Sequence, residues 1–207
     1  MIESFLDKAK VSGPNRRNLK IHDAIAPLYD FPYDLYDFLS RGGIKRERLS
    51  YLQELEIKPD SAVLEVAVGT GANLRYLPET ASYFGLDISL GMLKKCQKNL
   101  IRWGREAKLF QGEAENLPFD NSTFDVVFHM GGIDSFSDRA KAIKEMVRVA
   151  KPGAKLLIAG ETEMPFKVNS APKITPAALL PSGMENIEYE ETRGLRLYCL
   201  TFRKPSN

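Results

Sequence analysis

The sequence has few of the residues that usually build metal sites, disulfides or membrane spans. Its 207 residues include two cysteines, Cys96 and Cys199, and two histidines, His22 and His129. The cysteines form neither a C-x-x-C motif nor a disulfide framework, and the histidines share no ligand spacing, so the sequence predicts no metal site. No apolar run reaches the roughly 18 residues that a membrane-spanning helix needs.

The charge pattern is equally plain. The opening MIESFLDKAK mixes acidic and basic residues and does not resemble a secretory signal peptide. The net charge of +2 and the pI near 8.4 do not indicate a nucleic-acid binder. The basic clusters NRRNLK (15–20) and IKRER (44–48) are interpreted as solvated helix ends and loops. Together these features predict a cytoplasmic protein without a nucleic-acid partner or integral membrane association, and they leave the oligomeric state open.

Alternating apolar runs and helical patterns determine the predicted fold class. Helix candidates, among them ESFLDKAK (3–10) and YDLYDFLS, precede residue 59, and from there strands and helices alternate. Because strands that alternate with helices pair in parallel through right-handed crossovers, we expect a doubly wound, Rossmann-like α/β fold with helices on both faces. Two terminal strands, joined near Arg193-Gly194, predict a hairpin that adds one antiparallel strand to a seven-stranded sheet. Ser89, Asp138 and Thr175 are predicted helix N-caps.

The stretch VLEVAVGTGANL, residues 63–74, contains an acidic residue inside an apolar run. Ligands of doubly wound sheets bind at the carboxyl ends of the strands, and Gly69-Thr70-Gly71 allows close backbone approach there. The dinucleotide fingerprint is incomplete, since Leu74 occupies the position of its third glycine. Glu65 would repel a pyrophosphate but attract a ligand with ammonium and sulfonium groups. The alternative is that Glu65 is a structural carboxylate that binds nearby backbone amides.

Further motifs at matching spacing resemble one known family. VLEVAVGTG, YFGLDIS with Met92, GEAENLPFDNSTFDVVF and EMVRVAKPGAKLLI follow in order, HDAIAPLYD precedes them and LLPSGMENI follows. These stretches resemble class I S-adenosylmethionine-dependent methyltransferases of the methyltransferase type 11 group, which includes the ubiquinone and menaquinone biosynthesis C-methyltransferases. The resemblance covers about residues 21–203. It implies an N-terminal helical lid in residues 1–58 and an S-adenosylmethionine-binding methyltransferase domain in residues 59–207.

The resemblance also implies roles for individual residues. Glu65 and the backbone of Ala67 and Gly69 would hold the methionine end of the cofactor, and Asp87 would hold the ribose hydroxyls. Ile88 and Met92 would flank the adenine, with Glu113 and Ala114 near its polar edge. The full set of expected cofactor residues is Tyr29, Glu65, Ala67, Gly69, Thr70, Gly71, Asn73, Asp87, Ile88, Met92, Gly112, Glu113, Ala114, His129 and Met130.

The chain departs from the family pattern where the methyl acceptor should bind. Ile133-Asp134-Ser135 stands where the group often has L-H-H, and the stretch 161–173, after the fifth predicted strand, is short. His129 is the first candidate for a general base, with packing beside the cofactor as its alternative role. Asp134 is the second candidate, with a loop or capping role as its alternative.

Several functions stay open at this point. The leading prediction is a methyltransferase that acts on the oxygen, nitrogen or carbon atom of a small molecule. The alternatives are a non-catalytic module that binds the cofactor and an NAD(P)-dependent oxidoreductase. A nucleic-acid methyltransferase is disfavoured, because HMGG replaces the D/N-P-P-Y/F motif of the amino-methylating enzymes and neither cysteine stands where the carbon-5 enzymes carry their nucleophile.

Overall fold

Strands and helices alternate along the chain in a computed structural model, which describes residues 1–7, 9, 11, 13–30, 43–131, 133–161, 175–192 and 197–206. The strands are β1 (Ile2–Ser4), β2 (Ala62–Val66), β3 (Ser82–Asp87), β4 (Lys108–Gln111), β5 (Phe124–Met130), β6 (Ala150–Glu161), β7 (Glu185–Thr192) and β8 (Leu197–Arg203). The α-helices are α1 (Gly13–Ile25), α2 (Gly43–Gln53), α3 (Leu90–Trp103) and α4 (Arg139–Val149). Short 3₁₀ turns lie at Ala26–Leu28, Leu74–Tyr76, Ile133–Ser135 and Pro176–Leu179.

The strands form one sheet in the order β1-β4-β3-β2-β5-β6-β8-β7. Its pairs are parallel up to β6, and β8 pairs antiparallel with both β6 and β7. The strand order reverses direction at β2, so the chain forms the doubly wound, mostly parallel sheet that the sequence predicts, with its C-terminal hairpin. The carboxyl ends of β2 and β5 therefore flank the point at which a ligand cleft forms.

The predicted number of seven strands was wrong by one within the described residues. Residues 2–4 were expected to lead into or begin a short helix, but they pair with β4 in register Ile2↔Leu109 to Ser4↔Gln111. The Ser4 hydroxyl also donates to the side-chain oxygen of Gln111 at 2.9 Å. The edge of β4 offers unpaired backbone groups, and these bonds outweigh the weak helix preference of so short a segment.

Two apolar layers sandwich the sheet. On one face, Ile143 and Met146 of α4 pack against Leu64, Val127 and Leu156. The opposite face is covered by α2 and α3, whose apolar side chains pack on alternate residues of the same strands. This second layer includes Leu52, Leu55, Val63, Leu93, Cys96, Val126, Phe128 and Leu157. The central strands are buried on both faces, which explains why they read as continuous apolar runs.

Two of the three predicted helix caps are confirmed. The Ser89 hydroxyl accepts from the amide of Met92 at 3.1 Å, and an Asp138 carboxylate oxygen accepts from Lys141 at 2.9 Å. The prediction for Thr175 was wrong, because its side chain makes no capping bond. Pro176–Leu179 is a single 3₁₀ turn, which requires fewer satisfied amides than an α-helix.

Some predictions fall on residues outside the described ranges. They include the helix YDLYDFLS with its aromatic side chains, the short segment after the fifth predicted strand and the turn at Arg193-Gly194. Among the described helices, none is long and apolar enough to cross a membrane. The proposed boundary between a lid and a main domain at residue 58 stays a prediction.

The two glycines of the loop after β2 provide a matched pair for a stability test. Both have positive φ, +55° at Gly69 and +79° at Gly71, but a Cβ at Gly71 would lie 2.6 Å from Cys96 Sγ, whereas one at Gly69 would meet nothing within 4 Å. We expect Gly71→Ala to lower the free energy of unfolding by about 1–3 kcal/mol more than Gly69→Ala, because only the former overpacks α3. Urea denaturation of both variants measures this, and equal losses would contradict the packing argument.

Candidate functional site

A cleft of about 1090 Å³ opens at the carboxyl ends of the central parallel strands. The loop after β2, the end of β3, the segment after β4 and the end of β5 contribute its walls, and α1 with its following turn borders it. Most of the cofactor residues predicted from the sequence line it, namely Tyr29, Glu65, Ala67, Gly69, Thr70, Asn73, Asp87, Ile88, Met92, Gly112, Ala114 and Met130. The topology therefore brings together residues that are far apart in sequence.

The loop after β2 turns sharply and leaves room for a ligand. Ala67, Gly69 and Gly71 all have positive φ, a region that favours glycine and in which Ala67 is strained. The Gly69 amide donates to Asp87 Oδ2 at 2.8 Å, and the Gly71 amide donates to the carbonyl of Val68 at 3.0 Å. Because a Cβ on Gly69 would enter open space, the absence of a side chain there keeps the cleft free beside the backbone.

Glu65 is the central feature of the cleft. Its side chain is only 1% exposed and lies at the end of β2, where Oε1 accepts from Asn73 Nδ2 at 2.6 Å. Oε2 of Glu65 and Oδ1 of Asn73 have no hydrogen-bond partner among the described residues. Burial raises the pKa of Glu65 to about 8, against the lowering effects of the Asn73 bond and the Arg48 charge. Two buried acceptors without donors form a site for a ligand that carries N–H groups or positive charge.

Arg48 was missed by the sequence reasoning, which assigned it to a solvated basic cluster. It lies on α2, lines the cleft and is the cation whose field acts on Glu65. A guanidinium and a carboxyl group at one end of a cleft complement the ammonium and carboxylate of an amino acid. No local sequence signal marks Arg48, because only the packing of α2 against the sheet brings it to the loop.

Asp87 ends β3 and holds two loops together. Its two carboxylate oxygens accept from the amides of Gly69 and Ser89, each at 2.8 Å, and burial raises the pKa of Asp87 despite these bonds. A carboxylate has about four acceptor positions, so the hydrogen bonds to the two amides leave capacity for a ligand diol. Asp87 also lines the cleft, as a ribose-binding residue must.

His129 lies deeper than a residue that lines the cleft. It is fully buried, its Nδ1 is 2.8 Å from the carbonyl of Val66, and its ring packs on Phe136 with centroids 5.0 Å apart. Burial lowers the pKa of His129 to about 4, so the ring is neutral near pH 7 and Nδ1 carries the proton shared with Val66. This arrangement favours the packing role over the general base, because Nε2 does not reach the cleft surface.

Asp134 does reach the cleft, but it is already paired. Its Oδ1 lies 2.8 Å from Arg139 Nη1 in a partly exposed ion pair. Beside it lie Ile133, Phe136 and Tyr198, which give this end of the cleft an apolar and aromatic wall. The side chain of Tyr198 is opposite Gly160, where a Cβ would lie 2.9 Å from the hydroxyl.

Comparison with known proteins identifies the central part of the chain. Residues 64–158 match the family model described as a methyltransferase domain. The matched stretch runs from β2 to β6 and contains the loop, Glu65 and Asp87.

Residues 64–158 resemble a methyltransferase domain.

Relatives named as methyltransferases support this similarity, and solved structures share the fold. The demethylmenaquinone methyltransferase of Renibacterium salmoninarum is 36% identical over 138 residues, which are 66% of this chain and 55% of the relative. The chain spans about half the length of the curated relatives it matches. A SAM-dependent methyltransferase from Aquifex aeolicus shares the fold at TM-score 0.59 and 21% identity, with 75% of this chain and 88% of that chain covered. The [4+2]-cyclase SpnF shares it at TM-score 0.68 and 17% identity, with 78% and 81% covered.

Polar contacts hold the N-terminal helix α1 against residues 64–158. Asn15 Nδ2 donates to Glu113 Oε1 at 2.9 Å and to Glu115 Oε2 at 3.0 Å. At the other end of the helix, Asp23 Oδ1 accepts from the hydroxyl of Ser89 and the amide of Gly91. These bonds join α1 to the segment after β4 and to the start of α3, on two sides of the cleft.

A second set of contacts reaches the glycine loop. Asp30 Oδ1 accepts from the Thr70 hydroxyl at 2.6 Å, and its Oδ2 lies 3.3 Å from Asn99 Nδ2 and 3.8 Å from Lys95 Nζ. Asn99 also donates to the carbonyl of Thr70 at 3.0 Å. The loop is thus fixed by side chains from both the N-terminal segment and α3.

Three of the predicted cofactor residues, Gly71, Glu113 and His129, do not line the cleft. Gly71 faces Cys96. Asn15 donates to both Glu113 and Glu115, and of these two acids only Glu115 lines the cleft. Within the described residues, no group of three or more histidine, cysteine or acidic side chains could hold a metal ion.

The raised pKa of Glu65 predicts how stability depends on pH in the protein without ligand. Between its unfolded pKa near 4.5 and about 8, the unfolded state binds fewer protons than the folded one, so stability falls as pH rises. His129, whose pKa is lowered, has the opposite slope, but only below about 6.5. From pH 6.5 to 8 we expect wild type to lose about 2 kcal/mol relative to Glu65→Gln, which mimics the protonated acid.

Urea denaturation at several pH values measures this difference. The contribution of Asp87 to the pH dependence of stability cancels in the comparison, because both proteins contain it. Glu106→Gln, a change at an exposed position, is the control and should follow the wild-type profile. Parallel profiles for wild type and Glu65→Gln would show that Glu65 is ionised in the folded protein, contrary to this expectation.

Proposed function

We propose that this protein is an S-adenosylmethionine-dependent methyltransferase that acts on a small-molecule acceptor. The observation that carries the proposal is the pair of buried acceptor atoms, Glu65 Oε2 and Asn73 Oδ1, beside an open glycine loop. They favour a ligand with an ammonium group and disfavour a phosphate, whose oxygens would face these two acceptors. The methyltransferase domain match and the names of the relatives support the same activity.

The cleft residues fit such a cofactor along its whole length. Glu65 and Arg48 would hold the ammonium and carboxylate of the methionine moiety, and Asp87 would accept from the ribose hydroxyls. Ile88 and Met92 offer apolar contact for the adenine, and Glu115 is the acidic side chain at that end of the cleft.

Methyl transfer mainly requires that the cofactor and the acceptor be held in the correct positions. S-adenosylmethionine supplies a methyl group activated by its sulfonium, which is transferred to the acceptor by in-line displacement. The protein's part is to fix both partners in one geometry, which in favourable cases lowers a barrier by about 7–11 kcal/mol. The buried Ile133 and the partly buried Met130 and Phe136 would also exclude water from the acceptor.

The nature of the acceptor is a finer proposal. Ile133, Phe136, Leu197 and Tyr198 make the proposed acceptor end of the cleft apolar and aromatic, which favours a planar or lipophilic molecule. Two relatives are named for menaquinone and ubiquinone biosynthesis, and a quinone-like ring would suit this wall. Tyr198 could donate its hydroxyl to a ring oxygen, whereas His129 is too deeply buried for the same task.

The cysteines and the net charge support a proposal for the cellular compartment and the class of partner. Cys96 and Cys199 are free and buried, which fits a reducing compartment and a cytoplasmic location. The near-balanced charge supports a small-molecule partner rather than a nucleic acid.

Ligand titration separates this proposal from its alternatives. We expect the purified protein to bind S-adenosylhomocysteine and not NADH, and to form S-adenosylhomocysteine from S-adenosylmethionine when a quinone-type acceptor is present. Binding of NADH alone would overturn the proposal. Binding of S-adenosylhomocysteine without turnover on phenolic, amine and quinone acceptors would instead support the non-catalytic module.

Asp87→Asn tests the ribose contact. The loss of a charge-assisted acceptor should weaken S-adenosylhomocysteine binding by about 1.5–3 kcal/mol. Asp125→Asn is a matched control, because Asp125 accepts from the amide of Ala62 but does not line the cleft. Calorimetry would contradict the assignment if both variants bound as tightly as wild type, provided that their unfolding midpoints are comparable.

Glu65 also predicts how affinity depends on pH. Since the ligand ammonium favours the ionised acid, binding releases a proton below the raised pKa near 8, and affinity should rise up to about tenfold per pH unit between pH 6.5 and 8. Glu65→Gln should bind more weakly and with little dependence on pH in that range. Calorimetry in two buffers of different ionisation enthalpy counts the proton, and a wild-type affinity independent of pH would refute the role of Glu65.

A further inference from the structure

The outer face of α1 and its following turn carries an unusual group of exposed apolar side chains. Leu28 is 74% exposed, Ile21 42% and Ile25 41%. Single exposed apolar residues are common, but these three follow one another at spacings of four and three residues, with Ala24 and Pro27 also exposed between them. The core uses the other face instead, through Asn15, Leu19 and Ala26.

Positive charge lies next to the apolar side chains. Arg16, Arg17 and Lys20 are exposed on the same helix, with Lys20 directly before Ile21 and the two arginines about one turn earlier. The one acid of the helix, Asp23, is occupied at the start of α3, where it accepts from Ser89 and Gly91. We call Arg16, Arg17, Lys20, Ile21, Ala24, Ile25 and Leu28 the α1 patch.

A helix that presents apolar and basic side chains on one exposed surface has the composition of an interfacial membrane helix. Its apolar residues enter the boundary between headgroups and acyl chains, and its cations attract anionic lipids. A second copy of this chain is a less suitable occupant, because a two-fold interface would bring the same basic residues of both copies together.

We propose that α1 docks this protein on the surface of an anionic lipid bilayer through the α1 patch. The helix would lie in the plane of the interface, with Asn15 and Asp23 continuing to hold it to the domain. Pro27 and Leu28 are exposed and also border the cleft, so docking would place the rim of the cleft against the lipid. This surface interaction does not depend on the proposed methyl transfer, and either proposal can fail without the other.

Co-sedimentation with vesicles tests the proposal on the full chain. We expect binding to vesicles of phosphatidylcholine mixed with phosphatidylglycerol, weaker binding to phosphatidylcholine alone, and loss of the difference at high salt. Arg17→Ala/Lys20→Ala should lower partition into the anionic vesicles roughly 30-fold, since each cation near such a surface contributes a factor of about five. Ile21→Asn/Ile25→Asn keeps the charge and should also lower partition, by at least tenfold.

Matched controls lie elsewhere on the surface. Lys141→Ala/Lys144→Ala removes two exposed cations from α4, which is not part of the α1 patch, and Ile187→Asn removes an exposed apolar side chain from β7. Both should bind vesicles as wild type does. The proposal is overturned if wild type does not distinguish the two vesicle types, if the controls lose binding equally, or if ultracentrifugation shows a dimer that Ile21→Asn/Ile25→Asn dissociates while vesicles stay unbound.

Discussion

A carboxylic acid buried at the end of the central strand is the constraint on which the rest of this structure depends. An unpaired charge on Glu65 would cost several kcal/mol, because the side chain is buried in apolar surroundings. The single hydrogen bond from Asn73 does not offset this cost. The group is therefore held largely protonated near neutral pH, with one oxygen left for a partner that the chain does not supply. A cationic ligand would supply this partner and favour the charged form, so the proposed ligand binding would be coupled to proton release.

The residues around Glu65 keep the glycine loop in a fixed conformation beside it. Asp87 fixes the glycine loop by accepting from the amide of Gly69, and Asp30 of the N-terminal segment accepts from the Thr70 hydroxyl. Helix α3 packs against Gly71 through Cys96. The loop thus has little freedom to close over the space beside Gly69. Preorganisation of this kind lets binding energy position the ligand instead of ordering the protein.

The two ends of the cleft differ in how clearly their residues indicate which molecule binds there. The end with Glu65, Asp87 and Met92 consists of residues that the domain model matches and whose contacts fit one cofactor. The other end is built from Ile133, Phe136 and Tyr198. Of these three, the sequence reasoning placed only Ile133 in the segment where the methyl acceptor should bind. A solved [4+2]-cyclase has the same fold, so the fold by itself does not decide what happens there.

Local physics allowed the sequence alone to determine the alternating elements, the caps at Ser89 and Asp138, and the glycine loop with Glu65 and Asp87 at the ends of adjacent strands. Each of these depends on near neighbours in the chain or on the rule that parallel strands end at one edge. Only tertiary packing decided that β1 joins the sheet, that Arg48 and Glu115 reach the cleft, that His129 is sealed beneath it, and that α1 turns Ile21, Ile25 and Leu28 outward. Those outcomes depend on which helix covers which face of the sheet. The burial of a side chain is decided by this packing between distant segments and not by its position in the local sequence pattern.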